Sequence, residues 1–337
     1  MRPPSPIVVS MGDPAGIGPE IILKAYQSLR GDGLRLVALG DHRVFSDMAG
    51  RLGLPAPTRA AQFSGLPGET AALPVLEPPV VCSRAVEPGR PDAAHAGAVK
   101  SAIETGVSLC RDGRASALVT APISKAVMYE AGFDFPGHTE FLADLTADMP
   151  VSGPRGPAMM LSGGGLRVVL VTIHLALRNA IEALSPDRIA TTARLTDHAL
   201  RQDFGIAAPR LALAGLNPHA GEGGALGEEE RRIVNPAAAG LRTEGIDITD
   251  ALPPDTMFHA EARTHYDAAV CLYHDQGLIP VKTLDFDGGV NITLGLPIVR
   301  TSPDHGTAFP IAGQGKARPD SLIAAIREAA AIAERRG

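Results

Sequence analysis

Apolar, β-rich runs alternate with helical patterns along this chain, and that alternation constrains the fold more than any other feature. The run Ile7 to Met11 precedes a glycine-rich turn and a helical pattern from about Gly18, and the run Leu34 to Leu39 precedes another helical pattern from about Arg43. Such alternation is typical of βαβ units around a parallel sheet. The sequence therefore predicts an α/β fold.

Later segments extend the same pattern. Further strands are expected at residues 117–120, 158–161, 166–172, 210–214 and 268–272, and long helices at 95–110, 186–204, 227–241 and 319–335. The glycines at 163–165 predict a hairpin, which would make the sheet mixed. The Pro- and Gly-rich stretch 55–89 is expected to be a loop with little regular structure. Domain boundaries near residues 131 and 297 would give one domain of residues 1–130 and 297–337 and another of residues 131–296.

The composition argues against several classes of protein. With 337 residues, 45% of them hydrophobic, the chain can bury a substantial core, and its net charge of -6 argues against a general binder of polyanions such as nucleic acids. Cys82, Cys110 and Cys271 show no C-x-x-C spacing, which fits a reducing compartment. No apolar stretch approaches the roughly 20 residues of a membrane span, and the N-terminal apolar run is too short for a signal peptide. We expect a cytoplasmic protein without a membrane partner.

Histidines are plentiful, and three of the ten follow predicted strands: His174, His219 and His274. In open α/β sheets the carboxyl ends of the strands line the ligand crevice, so these imidazoles could converge there. A lone histidine is more often a satisfied core or surface group than a ligand, but three in the same topological position favour the ligand role for the set. Three neutral imidazoles suit Zn²⁺, Co²⁺ or Mn²⁺ and leave coordination positions open for a substrate.

Two carboxylates accompany this set. Asp275 lies beside His274 in the sequence and is placed to orient an imidazole. Asp255 follows two prolines and is either a further oxygen ligand or a turn-forming residue.

Several loops could either hold a ligand or cap a helix. The segment MGDPAGIGPE at residues 11–20 matches neither G-x-G-x-x-G nor a P-loop; it either lets a ligand approach a helix N-terminus or forms a tight turn. Asp41 is more typical of a helix cap than of a ribose-binding acid. His138 and Thr139 in PGHTE cap a helix or point into a cleft.

A further set of polar groups lies within apolar segments near the C-terminus. Lys282, Asn291 and Arg300 are surrounded in sequence by apolar residues, and buried cations need a partner, either an anionic ligand or an internal salt bridge. The stretch 300–317 is rich in small and hydrogen-bonding residues. It is expected to be an exposed loop that grips a polar ligand, or a solvated loop before the last helix.

The longest motifs resemble a known family. MGDPAGIGPE, PGHTEF, VTIHLALR, GLNPHAGEGG, PPDTMF, YHDQGLIPVK, GGVNITLGLPIVRTSPDHGTA and AGQGKA look like those of the 4-hydroxythreonine-4-phosphate dehydrogenases of vitamin B6 synthesis, in order over nearly the whole chain. The last loop also resembles the adenosine-binding loop of isocitrate and isopropylmalate dehydrogenases. The resemblance implies their two-domain, three-layer α/β fold with a mixed sheet, and an active site in the interdomain cleft at a homodimer interface.

Roles carry over to matching residues. The resemblance implies a metal site of His174, His219 and His274 with ligands from both chains of a homodimer; the metal is zinc, or else magnesium, cobalt or manganese. It places substrate on a second set of residues: His138, Thr139, Lys282, Asn291 and Arg300. The nucleotide loop would contribute a third set: His305, Gly306, Thr307 and Gly313. The domain of residues 1–130 and 297–337 would then lie on the nucleotide side, and 131–296 would carry the metal and the dimer contacts.

The implied reaction is an NAD-dependent oxidation. The C3 hydroxyl of 4-phosphooxy-L-threonine would be oxidised to give 2-amino-3-oxo-4-(phosphonooxy)butanoate, which decarboxylates to 3-amino-2-oxopropyl phosphate. Lys282, Asp255 and His138 are candidates for the group that takes the hydroxyl proton. The choice between NAD and NADP stays open.

Three rival functions remain. The nearest is a dehydrogenase of D-threonate or D-erythronate 4-phosphate in sugar-acid catabolism, which would share the same motifs. A phosphate acyltransferase of the same fold would have no use for the three histidines. A catalytically silent binding protein is the third, and it would reduce no NAD⁺.

Overall fold

Strands and helices alternate through the protein as predicted. The computed structural model describes residues 5–63 and 70–337. The strands are β1 (Ile7–Ser10), β2 (Leu36–Leu39), β3 (Thr58–Ala60), β4 (Pro74–Leu76), β5 (Ala117–Thr120), β6 (Ala158–Gly163), β7 (Leu166–Leu170), β8 (Arg210–Ala214), β9 (Asp247–Leu252), β10 (Ala268–Cys271), β11 (Val290–Leu294) and β12 (Arg300–Pro303). The α-helices are α1 (Gly18–Ser28), α2 (His42–Leu52), α3 (Ala96–Arg111), α4 (Lys125–Glu130), α5 (His138–Leu145), α6 (Leu177–Glu182), α7 (Pro186–Gln202), α8 (Asn235–Thr243), α9 (Pro254–Met257), α10 (His274–Leu284) and α11 (Asp320–Arg336).

The chain divides into two compact units. One comprises Met1–Met149 with Pro297–Glu334, and the other Pro150–Leu296 with Arg335–Gly337. The chain re-enters the first unit at residue 297, as in the predicted domains. Residues 131–149, however, belong to the first unit, whereas the prediction assigned them to the second domain. The division into domains at residue 131 stays a prediction.

The first unit is built on a parallel sheet. Its strands follow the order β3-β4-β2-β1-β5-β12, and each neighbouring pair is parallel. All four residues of β1, β2 and β5 are buried, as expected for strands covered on both faces. The carboxyl ends of these strands therefore share one edge, from which the loops after Ser10, Leu39 and Thr120 emerge.

The second unit has a mixed sheet in the order β11-β6-β7-β10-β8-β9. Strands β6 and β7 form the predicted hairpin, turned by Gly164 and Gly165 in the left-handed region, and β11 is antiparallel to β6. Strands β7, β10, β8 and β9 are parallel. Alternate residues of β7, Leu166, Val168 and Leu170, pack in one core cluster with Leu278 and Val281 of α10. The prediction of a mixed sheet is confirmed.

Local chemistry sets several helix ends. The Asp41 side chain accepts a hydrogen bond from Arg43 N at 2.8 Å and caps α2, which ends at Gly53 in the left-handed region. The capping prediction for Asp41 is confirmed. Ser185 caps α7 in the same way, followed by Pro186 in its first turn.

Some elements differ from the predictions. The stretch 55–89 contains the short strands β3 and β4, and residues 64–69 of it lie outside the described residues. The helix expected at 227–241 consists of a π-helical turn, Glu230–Val234, followed by α8. Strands β9, β11 and β12 escaped the sequence analysis. Among the described residues, no helix is both long and apolar enough to cross a lipid bilayer.

Candidate active site

The three predicted metal-ligating histidines follow neighbouring parallel strands. His174 comes after β7, His274 opens α10 just after β10, and His219 comes after β8. Because β7, β10 and β8 lie side by side and run parallel, all three histidines emerge at the carboxyl edge of this sheet.

Two of these imidazoles lie close together. The ring centroids of His174 and His274 are 5.6 Å apart, with the rings inclined by 42°. Both line a cavity of about 260 Å³, whose wall also includes Tyr273 and Asp275. His219 is exposed and lies outside this wall. In the part of the chain that the structure describes, no three His, Cys, Asp or Glu side chains come together as a metal site. In this chain, His174 and His274 therefore come together, and His219 does not join them.

The Asp275 carboxylate holds the His274 ring. Its Oδ1 lies 2.8 Å from His274 Nδ1, the contact predicted for this pair. With Nδ1 engaged, the Nε2 lone pair is the one presented to a ligand, which is the usual arrangement of a metal-binding imidazole. The two neighbouring imidazoles thus fit a divalent metal chemically.

His219 lies in an unusual backbone segment. The φ angles of His219, Ala220 and Glu222 are 52°, 51° and 43°, and the intervening and following glycines also have positive φ. L-residues rarely adopt this left-handed conformation, and where they do it concentrates at functional sites. His174 has a φ of 52° as well. Two of the three candidate ligands are therefore held in strained backbone.

In the first unit, His138 and Thr139 are the first residues of α5. The N-cap residue is Gly137, and it makes no side-chain capping hydrogen bond. The idea that His138 or Thr139 caps this helix is therefore wrong. His138 Nε2 is buried and has no hydrogen-bond partner among the described residues. Burial, with the positive charges of Arg300 and Lys125, holds the pKa of His138 well below its ordinary value, so the ring is neutral.

Arg300 lies on β12 with only 3% of its surface exposed. Its Nη2 and Nε donate to Thr120 Oγ1 at 2.7 and 3.2 Å, which fixes the guanidinium at the end of β5. Burial lowers the pKa of Arg300 to about 10, and the Glu140 carboxylate opposes that shift. A buried guanidinium of this kind favours an anion beside it.

Lys282 and Asn291 belong to the second unit. Lys282 Nζ lies 5.6 Å from the ring centroid of Phe286, at the end of α10. Asn291 is on β11 opposite Leu161, and its Oδ1 is buried without a hydrogen-bond partner in residues 5–63 and 70–337. An unsatisfied buried amide oxygen is costly, so it points to a ligand group or water that donates to it.

The predicted nucleotide loop is fixed to the MGDPAGIGPE segment. Ile17 N donates to Thr307 O at 3.0 Å, and Gly313 packs against Pro88, where a Cβ would lie 2.8 Å from Pro88 Cβ. His305 is exposed, with its Nδ1 3.1 Å from Gly306 O. The loop thus has a fixed base and an accessible tip.

The glycines of MGDPAGIGPE are explained by close packing of backbone. A Cβ on Gly12 would lie 2.4 Å from Pro122 O, and one on Gly18 would lie 2.2 Å from Met11 O. Gly12 also has a φ of 71°. These contacts favour the tight-turn reading of this motif over direct ligand approach.

The predicted catalytic Asp255 is an exposed residue of α9, at the carboxyl end of β9. Other polar residues near the site were missed by the sequence analysis: Lys125, Glu140, Gln276 and Glu230. Lys125 follows β5 closely, so the rule that polar residues after parallel strands line the site would have found it.

The fold and these groups are those of an α/β enzyme, with a buried guanidinium that suits an anion and neighbouring imidazoles that suit a metal ion. The family described as pyridoxal phosphate biosynthetic protein PdxA matches residues 33–329. Proteins named 4-hydroxythreonine-4-phosphate dehydrogenase from Maricaulis maris (strain MCS10) and Caulobacter vibrioides (strain ATCC 19089 / CIP 103742 / CB 15) are 69% and 57% identical to this chain, each alignment covering 98% of the chain and 98% of the relative. The crystal structure of 4-hydroxythreonine-4-phosphate dehydrogenase from Klebsiella pneumoniae is 39% identical and superposes with a TM-score of 0.87 over 98% of this chain and 99% of that one. The chain belongs to the PdxA family of oxidoreductases, and the family resemblance seen in the sequence is confirmed.

Proposed function

We propose that this protein is an NAD- and metal-dependent 4-hydroxythreonine-4-phosphate dehydrogenase of pyridoxal 5'-phosphate biosynthesis, acting in the cytoplasm. The observation that carries the proposal is the 69% identity, over 98% of both chains, to a relative of that name. The substrate is 4-phosphooxy-L-threonine, and the product of C3 oxidation, 2-amino-3-oxo-4-(phosphonooxy)butanoate, loses CO₂ to give 3-amino-2-oxopropyl phosphate.

The side chains of both units suit this substrate. It carries a phosphate and a carboxylate, and the chain offers the buried Arg300 together with Lys282 as cationic partners. The neutral His138 has a buried Nε2 atom for one substrate group, and Asn291 has a buried Oδ1 atom for a donor such as the 2-amino group. Thr139 adds a hydroxyl beside His138.

The metal would be held by His174, His219 and His274. A bound divalent ion would supply positive charge to stabilise negative charge that develops on substrate oxygen, and NAD⁺ would supply the hydride acceptor. The imidazole donor set favours zinc over magnesium, with cobalt or manganese as substitutes. The chain's own contribution is to orient the donors, as Asp275 does for His274 at 2.8 Å.

Proton transfer and cofactor binding fall to residues around these groups. Lys282 and Asp255 are the proposed bases for the C3 hydroxyl; the neutral ring of His138 is a third candidate because it can accept a proton. The adenosine part of NAD would bind the accessible loop that contains His305, Gly306, Thr307 and Gly313.

A homodimer with shared active sites would complete the ligand set. Leu175, Leu177 and Ile181 follow His174 within seven residues and are 45%, 56% and 39% exposed. Exposed apolar side chains of this size are typical of an interface. A second chain that covers them would bring its own histidines to the cavity beside His174 and His274.

The proposal is tested by following NADH formation from 4-phosphooxy-L-threonine with zinc-loaded protein. We expect turnover by the wild type, and loss of both activity and bound zinc in His219→Ala, because an exposed imidazole has few structural contacts to lose. A fully active, zinc-replete His219→Ala protein would overturn the three-histidine site.

A further inference from the structure

Behind the three histidines, buried polar side chains link the ends of their strands. Thr172, two residues before His174, donates through Oγ1 to Leu272 O at 2.7 Å. Leu272 N donates to Gln276 Oε1 at 2.7 Å, and Gln276 Nε2 donates to Gly215 O at 2.6 Å. Thr172 and Gln276 are 2% and 7% exposed. Two side chains thus connect the carboxyl ends of β7, β10 and β8.

These links lie beyond the ordinary sheet ladder. The last paired residues of β10 and β8 are Val270 and Leu213. Past that point the chain leads to His274 and His219, and the Gln276 amide bridges the two segments through Leu272 and Gly215. The amide uses both its acceptor and a donor, which fixes its orientation as well as its position.

A buried carboxylate continues the network under the His219 turn. Glu230, in the π-helical turn, is 3% exposed. Its Oε1 accepts from Leu216 N and Asn217 N, both at 2.7 Å, and its Oε2 accepts from Asn217 Nδ2 at 3.0 Å. These bonds hold the two residues from which the left-handed turn starts. Because L-residues rarely adopt that conformation, it depends on such external contacts. π-Helical turns also occur frequently at functional sites.

We propose that Gln276 and Glu230, with Thr172, are positioning residues that fix His174, His219 and His274 for the metal. This inference rests on the metal site of the proposed function. Partners that hold ligating side chains in place typically change metal affinity by about 10- to 100-fold when removed. None of the three side chains needs to touch the metal or the substrate for this effect.

The test is zinc affinity, measured by competition with a chromophoric chelator, together with the visible spectrum of the cobalt-loaded full-length protein. Gln276→Met keeps the length of the side chain but removes both hydrogen bonds; we expect zinc binding to weaken about 10-fold or more and the cobalt bands to shift. Thr172→Val should act in the same direction, whereas Thr172→Ser, which keeps the hydroxyl, should restore wild-type affinity. Glu230→Gln places an amide donor against Asn217 Nδ2 and should also weaken binding.

Thr196→Val is the matched control. Thr196 Oγ1 donates to Thr192 O at 2.7 Å and the residue is fully buried in α7, so this variant loses the same kind of hydrogen bond in a helix that contains none of the three histidines. We expect a similar loss of thermal stability in the two valine variants, and a loss of zinc affinity in Thr172→Val alone.

The outcomes separate this inference from the proposed function. If the wild type binds no zinc, or binds it as tightly after His219→Ala, the metal site itself is wrong. If His219→Ala loses zinc while Gln276→Met, Thr172→Val and Glu230→Gln stay within about twofold of the wild type, the positioning role is wrong and the metal site stands. Should Gln276→Met fail to fold, the Thr172 and Glu230 variants decide.

Discussion

At the scale of single residues, burial changes the acid–base behaviour of groups at the sheet edge of the first unit. Asp13 is 3% exposed, and its Oδ1 accepts from Ala15 N at 3.0 Å. Burial raises the pKa of Asp13 from 3.8 to about 6, with that backbone hydrogen bond opposing the shift. Burial disfavours the charged form of His138 as well, but because that form is the protonated one, the pKa of His138 is lowered.

Asp13 should make the protein less stable as the pH rises from 4 to 6. Over that range the unfolded chain releases the Asp13 proton while the folded protein keeps it, so the free energy of unfolding falls, by up to about 3 kcal/mol. Asp13→Asn should remove this decline. Urea unfolding at pH 4 and pH 7 measures it, with the exposed Asp112→Asn as control. Equal pH dependence of Asp13→Asn and the wild type would contradict the assignment.

His138 should stay neutral in the folded protein. Its pKa is depressed, so its contribution to stability is present above the unfolded pKa of about 6.5 and is lost as the pH falls below that value. In a histidine NMR spectrum, the resonance that disappears in His138→Gln should keep its chemical shift between pH 6 and pH 8. A titration midpoint near 6.5 for that resonance would show that the ring is not desolvated.

At the scale of elements, the left-handed turn after β8 allows a matched comparison. Gly221 and Gly223 have φ angles of 77° and 68°; a Cβ on Gly221 would lie 2.6 Å from Glu230 Oε2, whereas one on Gly223 meets nothing within 4 Å. Gly223→Ala should cost about 1–2 kcal/mol of stability for the backbone conformation alone. Gly221→Ala should cost about 1–3 kcal/mol more because it displaces the carboxylate. Urea unfolding measures the free energy of unfolding of both variants. Equal losses would mean that the added methyl group at residue 221 does not displace the Glu230 carboxylate.

The same elements show what local sequence can predict. The hairpin at Gly164–Gly165 and the Asp41 cap of α2 followed from short-range chemistry, because the residues that decide the conformation are adjacent. The turn at His219 did not: Ala220 and Glu222 contradict the usual preference for right-handed backbone, and the contacts that hold the turn come from Glu230. Short strands such as β3 also escaped prediction, because their pairing depends on a distant partner.

At the scale of the whole molecule, the sequence correctly places the three histidines after strands, and the structure of one chain brings two of them together. His174 and His274 meet, whereas His219 lies outside their cavity. The sequence shows which residues follow the carboxyl ends of strands, but which of them meet depends on long-range contacts and, in the proposed homodimer, on the second chain. The mixed sheet and the family therefore followed from the sequence, whereas the complete metal site stays a prediction.

A shared site predicts complementation between inactive variants. His174→Ala and His219→Ala should each be inactive, but after subunit exchange each mixed dimer would contain one site with every ligand intact, which restores up to about a quarter of wild-type activity. Activity of the mixture measures this, and mass analysis confirms that exchange took place. No recovery despite complete exchange would place these two histidines in the same site from the same chain.

The preference of the enzyme among three phosphorylated substrates tests the account most directly. NADH formation is followed with zinc-loaded protein on 4-phosphooxy-L-threonine, D-threonate 4-phosphate and D-erythronate 4-phosphate, and kcat/KM is compared. The account predicts the highest kcat/KM for 4-phosphooxy-L-threonine, whose 2-amino group matches the buried Asn291 oxygen. A preference for either sugar-acid phosphate, or no NADH from any of the three, would contradict it.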